Sequence, residues 1–136
     1  MVEPEITEQT RTDITARNKI IVEYLPHVKR IVNRMAMNLP SSVENEELVN
    51  AGIIGLIQAI DRFDPSRDNK FMTYAIFRIK GAIISELRSR DFLGRSVRKK
   101  IKDLDKAYFG LEQKLGREAS DYELADELNV YFDQVN

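Results

Sequence analysis

An all-α fold is predicted for this 136-residue chain by three observations. Apolar residues recur at spacings of three and four along most of its length, which gathers them on one face of a helix. No stretch alternates apolar and polar residues as a half-buried strand does, and no internal repeat is present. The breaks between periodic segments carry helix punctuation: Pro40 after Leu39, the polar turn Asp64 to Asp68, and Gly116. With 43% hydrophobic residues the chain can bury a core, as one compact domain or two small ones.

The elements follow in order. Residues 1–12 are polar with little periodicity and read as a flexible N-terminal arm. From Ile20, the positions Ile21, Tyr24, Leu25, Val28, Ile31, Val32, Met35 and Leu39 mark an amphipathic helix. Pro26 interrupts it; proline lacks an N–H and disfavours helix in the residue before it, so a kink or two abutting helices are predicted there. Ser42 or Asn45 can cap the next helix, which runs from about Glu46 to Phe63. A third spans about Lys70 to Arg90. After Asp91 to Gly94 a fourth carries Val97, Ile101, Leu104, Ala107, Tyr108, Leu111 and Leu115, with Gly116 as its C-cap. Ser120 and Glu123 form a capping box that opens a helix through Leu128.

Charge is unevenly spread. Residues 1–77 are nearly neutral, 78–102 hold nine basic residues against two acidic ones, and 103–136 hold three against nine. A basic block between neutral and acidic segments suits a polyanion bound at one place, or else a solvated helix face. Without cysteine, and with His27 as the single histidine, the chain lacks a disulfide framework, a thiolate nucleophile and a histidine-based metal site. Nucleophile elbows and glycine-rich phosphate loops are absent too, so no enzyme, cofactor or metal is predicted. The first residues are acidic, and the longest nearly apolar stretch, Ala51 to Ile60, is half a membrane span; a soluble, cytoplasmic chain is expected.

Two helix faces exceed what a plain bundle needs. At about 100° per residue, Leu48, Val49, Gly52, Gly55, Leu56, Ala59, Ile60 and Phe63 share the core arc of the second helix. Gly52 and Gly55 then read as close packing. Ile54 and Ile57 fall opposite, beside Glu47, Asn50 and Asp61, with Ile53 at the border, so either a partner covers them or the helix is buried all round. On the third helix the core stripe is Ala75, Ile76, Ile79, Ala82, Ile83 and Leu87. Its other side presents Tyr74, Phe77, Gly81, Ile84, Ser85, Arg78 and Arg88, with Phe71 and Lys70 at the N-terminal edge. Rings that stack on bases, guanidinium groups and small residues suit single-stranded nucleic acid, although helical aromatics are more often core.

At these positions the sequence resembles the bacterial RNA polymerase sigma factors. The resemblance rests on NAGIIGLIQAIDRFD from Asn50 to Asp64, KFMTYA from Lys70 to Ala75, RIKGAI from Arg78 to Ile83, ELRSRD from Glu86 to Asp91 and RSVR from Arg95 to Arg98. These runs keep family order and spacing over about Ile20 to Val135, and two of them are similar to the flagellar and sporulation class.

The resemblance implies that residues 13–91 form the promoter-melting domain, 92–95 a linker and 96–136 a truncated, helix-turn-helix-related domain. Glu47, Asn50, Ile53, Ile54 and Ile57 are then expected to contact the β′ coiled coil of polymerase core. The segment from Arg67 to Arg88 is expected to capture the non-template strand of the promoter minus-ten element. Phe71, Tyr74 and Phe77 would pack on bases, Lys70, Arg78 and Arg88 would hold backbone or read edges, and Gly81 and Ser85 would allow close approach. Arg95, Arg98 and Lys99 would meet the upstream duplex. An anti-sigma protein is a further implied partner; no membrane is.

Departures touch base preference: Arg78 replaces the second aromatic of the housekeeping pair, and Ser85 stands where Asp is common. Phe92 and Gly94 replace the usual linker Trp and Pro. The rival reading from the residues alone is an all-helical protein-interaction module without nucleic-acid function.

Overall fold

A computed structural model describes residues 3–36, 44–90 and 95–135, the side chains at 36, 96, 97 and 130–135 excepted. It contains α1 (Glu8–Thr12), α2 (Ile14–Ala36), α3 (Asn45–Arg62), α4 (Phe71–Ser89), α5 (Arg95–Leu115) and α6 (Asp121–Val135). There is no strand among the described residues, as the periodicity predicts.

Helices α2, α3 and α4 form the core. Tyr24, Val28 and Val32 of α2, Leu48, Leu56 and Ile60 of α3, and Ile79, Ile83 and Leu87 of α4 are all buried together. Each such aliphatic side chain contributes roughly 1.5–3 kcal/mol by leaving water. α3 lies antiparallel to α4, since Gly52 and Gly55 face Ile79, Ala82 and Arg78 while Glu47 meets Arg90, and antiparallel to α2, since Asn45 meets Asn33 while Asp61 meets Arg17. The glycines set how closely these helices approach. A Cβ on Gly52 would come within 2.7 Å of Val28 Cγ1, and one on Gly55 within 2.6 Å of the Arg78 carbonyl oxygen.

Four expectations need correction. The N-terminal arm is docked rather than free: Ile6 is buried, Thr7 and Thr10 form a capping box, and Arg11 Nε donates to the Ile60 carbonyl at 3.2 Å. Its guanidinium also donates to the Phe63 carbonyl, and Glu3 accepts from the Met72 N–H at 3.1 Å. Of the two alternatives at Pro26, the abutting helices are not found: a single helix runs through it. The carbonyl that Pro26 leaves without its helical partner belongs to Val22, a residue 67% exposed. Asn45 is the first helical residue, behind Glu44, which makes no side-chain cap bond. The last helix continues past Leu128 to Val135.

The Leu39 to Ser42 boundary, the linker residues 92–94 and the side chain of Val97 lie outside the described residues. Gly116 ends α5 at φ 71°, and its N–H donates to the Glu112 carbonyl, as its C-cap reading requires. The Ser120–Glu123 capping box is present in both directions, at 3.2 and 3.0 Å. α6 packs on α5 and also on α4.

Two stability predictions follow from this packing. Gly55→Ala should lose about 1–3 kcal/mol, since its Cβ meets backbone that cannot rotate away, whereas Gly110→Ala, with nothing within 4 Å, should gain roughly 0.5–1 kcal/mol by helix propensity. Urea unfolding of the two variants measures both. Glu123 is held down from 4.5 to about 2 by the Arg117 guanidinium, and further by the Ser120 N–H. A depressed carboxyl stabilises above its unfolded pKa and loses that contribution as pH falls through its folded value. The melting-temperature gap between wild type and Glu123→Gln should therefore be full at neutral pH and close between about 4.5 and 2.

Candidate nucleic-acid interface

The outward edge of α3 carries the residues expected to meet polymerase core. Asn50 and Ile54 are exposed, Ile54 by 55%, while Glu47, Ile53 and Ile57 are half-buried. Glu47 pairs with Arg90, which also donates to Glu86 Oε1 at 2.6 Å. The all-round burial considered for α3 is thus not found. An apolar side chain more than half in water, flanked by polar neighbours, is a surface with spare binding area.

Across the α3–α4 seam lies a cleft of about 430 Å³, lined by Ile54, Gln58, Phe77, Arg78, Gly81 and Ser85 among others. Gln58 Oε1 accepts from Arg78 at 2.8 Å and fixes the guanidinium at the cleft's edge. Position 81 has nothing within 4 Å of where a Cβ would stand, so the cleft is open there. Arg67, Lys70, Gly81, Ser85 and Arg88 are exposed, and Phe77 and Arg78 are half-buried. Arg95, Arg98 and Lys99 are exposed on the first turn of α5.

Phe71 and Tyr74 depart from the outward placement. Phe71 is 1% exposed and Tyr74 2%. Phe71 meets Tyr24 and Phe63 edge-on, with ring centroids 5.5 and 5.3 Å apart. Tyr74 sits beside Phe63 and stacks on Tyr122 of α6 at 4.7 Å with 16° between the planes. The helical wheel put Tyr74 on the outward side, and its cover comes from an element 48 residues further on, which α4 alone cannot reveal. Burial raises the Tyr74 phenol, a shift that Arg78 partly opposes.

Tyr122 and its neighbours are the part that sequence reasoning missed. The Asp64 N–H donates to the Tyr122 hydroxyl at 2.7 Å, and that hydroxyl donates to the Arg62 carbonyl at 3.2 Å. Asn69 donates to the Tyr122 carbonyl at 3.1 Å and to Asp126 Oδ1 at 2.8 Å. Asp121 lies 3.5 Å from Arg78, and the Arg67 guanidinium 4.8 Å from the Tyr122 ring centroid. The available signal was electrostatic: the acidic segment after residue 103 complements the basic block before it. Among the described residues no cluster of His, Asp or Glu could hold a metal ion, and no helix is long and apolar enough to cross a membrane.

Comparison with known proteins shows the family. The family model described as Sigma-70 region 2 matches residues 20–92. The RNA polymerase sigma factor FliA of Salmonella typhimurium is 40% identical over 121 residues, covering 89% of this chain and 51% of that protein. The RNA polymerase sigma-D factor of Bacillus subtilis is 43% identical over 123 residues, covering 90% and 48%. Among solved structures, the cocrystal structure of the flagellar sigma/anti-sigma complex Sigma-28/FlgM matches with TM-score 0.55 and 37% identity, over 90% of this chain and 54% of that one. The chain spans about half the length of these relatives.

The contrast between the two adjacent aromatics is measurable. Tyr74→Ala should cost about 3–5 kcal/mol of stability, as truncation of a core aromatic does, and Phe77→Ala far less. Equal losses in thermal unfolding would put Phe77 in the core as well.

Proposed function

The chain belongs to the sigma-70 region 2 family, and from that premise we propose that it is the core-binding and promoter-melting part of an alternative sigma factor of the flagellar class. Residues 13–91 are the melting domain, and 96–136 are part of the domain that follows. The chemistry of transcription belongs to polymerase; this chain supplies recognition.

The observation that carries the reading is the two-sided α3–α4 pair. One edge offers Asn50 and a 55%-exposed Ile54 to a protein partner. Phe77, Arg78, Gly81 and Ser85 line an open cleft with Ile54, and Lys70 and Arg88 are exposed cations at the two ends of α4. Because Ile54 lines that cleft, a protein partner seated on α3 reaches the rim of the DNA site. Glu47, Asn50, Ile53, Ile54 and Ile57 take the β′ coiled coil of polymerase core. Phe77 stacks on an unpaired base of the non-template minus-ten strand, and Arg67, Lys70, Arg78 and Arg88 hold its backbone or base edges. Arg95, Arg98 and Lys99 lie where upstream duplex phosphates pass. The sigma-28 relative was solved with FlgM, and an anti-sigma protein of that kind is a partner of this chain. The protein works in the cytoplasm, beside polymerase.

The test pairs a partner with a ligand. Polymerase core should retain the chain stoichiometrically, and the complex should bind single-stranded minus-ten DNA. Ile54→Asp should weaken core binding by at least about tenfold, as an unpaired charge at an apolar contact costs more than 1.4 kcal/mol, with the melting temperature unchanged because the side chain is exposed in the free chain. If core ignores the wild-type chain, the interaction-module reading replaces this one.

A further inference from the structure

Arg78 is held by α3 at its root and at its head. Its backbone carbonyl is pressed against Gly55, where a Cβ would stand 2.6 Å from the oxygen. About one turn further along α3, Gln58 Oε1 accepts from Arg78 Nη2 at 2.8 Å. Both side chains line the cleft between α3 and α4. A long side chain that would otherwise sample several rotamers is thereby kept in one, with the plane of its guanidinium set.

The nature of the partner matters. Asp121 also lies near, 3.5 Å from Arg78 Nη1, but 52% of its side chain is in water, and ion pairs of that kind hold weakly. The Gln58 bond is shorter and comes from a half-buried side chain. Its acceptor is also uncharged, so it orients the guanidinium without neutralising it. By giving its oxygen to Arg78, Gln58 leaves only N–H groups free on the pair: the remaining donors of the guanidinium and its own amide Nε2. Donors in a fixed plane, with no acceptor among them, match an edge that carries two acceptors side by side, as guanine does with O6 and N7. They mismatch an adenine edge, whose N6 amino group is itself a donor. Phosphate oxygens also accept from such donors, yet they ask for no particular plane.

We propose that Gln58 is a positioning residue for base discrimination: it sets the guanidinium of Arg78 so that this side chain reads the acceptor edge of an unpaired base instead of clasping phosphate. The inference rests on the strand-capture reading and adds to it a residue of α3, outside the segment from Arg67 to Arg88 that meets the strand. Gln58 need not touch the base to matter. It acts through Arg78, whose side chain is only 17% exposed and has little freedom to find the edge by itself once its anchor is gone.

The chain assembled with polymerase core is titrated, by fluorescence anisotropy, with fluorescein-labelled strands of roughly ten thymidines that carry a single guanine or a single adenine at the centre. Wild type should prefer the guanine strand about tenfold. Gln58→Met, which keeps the stem and removes the acceptor, should bring that preference to within about twofold. Gln58→Glu, which keeps an acceptor oxygen, should retain it. In an Arg78→Ala background Gln58→Met should change nothing further, since a residue that acts only through Arg78 has nothing left to act on. Retention by core and an unchanged melting temperature show that each variant is folded. Gln58→Asn, which withdraws the acceptor by one methylene, takes the place of Gln58→Met if that variant melts early.

A guanine preference that survives Gln58→Met would overturn the positioning role and leave strand capture standing. So would a wild type without preference whose affinity for both strands falls equally on Arg78→Ala, the behaviour of a phosphate contact with no plane to set. A further loss from Gln58→Met in the Arg78→Ala background would overturn it as well, because Gln58 would then act on its own. If the wild-type complex binds neither strand, or Arg78→Ala weakens neither, the capture reading itself fails and the positioning role goes with it.

Discussion

A Cβ at position 55 would stand 2.6 Å from a backbone carbonyl of α4, so α3 and α4 can lie as close as they do only because that position is bare. The rest of the molecule depends on this approach. It brings Leu56 and Ile60 onto Ile79 and Ile83, and it leaves each helix a free outer edge. It also narrows the seam into a cleft with Gln58 near enough to hold Arg78. A wider separation would lose the core contacts and the orientation of the guanidinium together.

At the far end of the same pair, where α3 hands over to α4, side chains rather than backbones make the contact. Phe63 stands among Phe71, Tyr74 and Tyr122, with Tyr24 beyond Phe71. Rings from four helices and turns meet there edge-on, tilted and stacked, arrangements that add about 0.5–1.5 kcal/mol per pair beyond burial. α6 leans against this cluster through Tyr122, and its Asp121 lines the same cleft as the exposed Ile54.

The helices, their caps and the core arcs were legible because each is written within one turn or one face. Leu48, Gly52, Leu56 and Ile60 are buried as their angular positions require, and Ser120 with Glu123 makes the capping box that its spacing announces. Ile54 pointed outward for the same reason. What was not legible depends on partners distant in the chain. Nothing within α4 shows that Tyr74 is covered by Tyr122, and nothing in the polar run from Glu3 to Arg11 shows that Arg11 will find two carbonyls around residue 60. Ile6 was the one apolar hint in that run, and a single residue makes no period.

The docked N-terminal arm has a bearing on the order of assembly. Its anchors span long intervals, Arg11 reaching Ile60 and Phe63, and Glu3 reaching Met72. Loops of that length carry a closure entropy that must be met before the contacts return anything, and the receiving carbonyls and amide take position only when α3 has ended and α4 has begun. The arm is therefore the last part to join and the first to leave. Its amides belong to a local unit that opens at lower free energy than the α3–α4 pair, so hydrogen exchange would reach residues 6–12 while the interior of α3 is still protected.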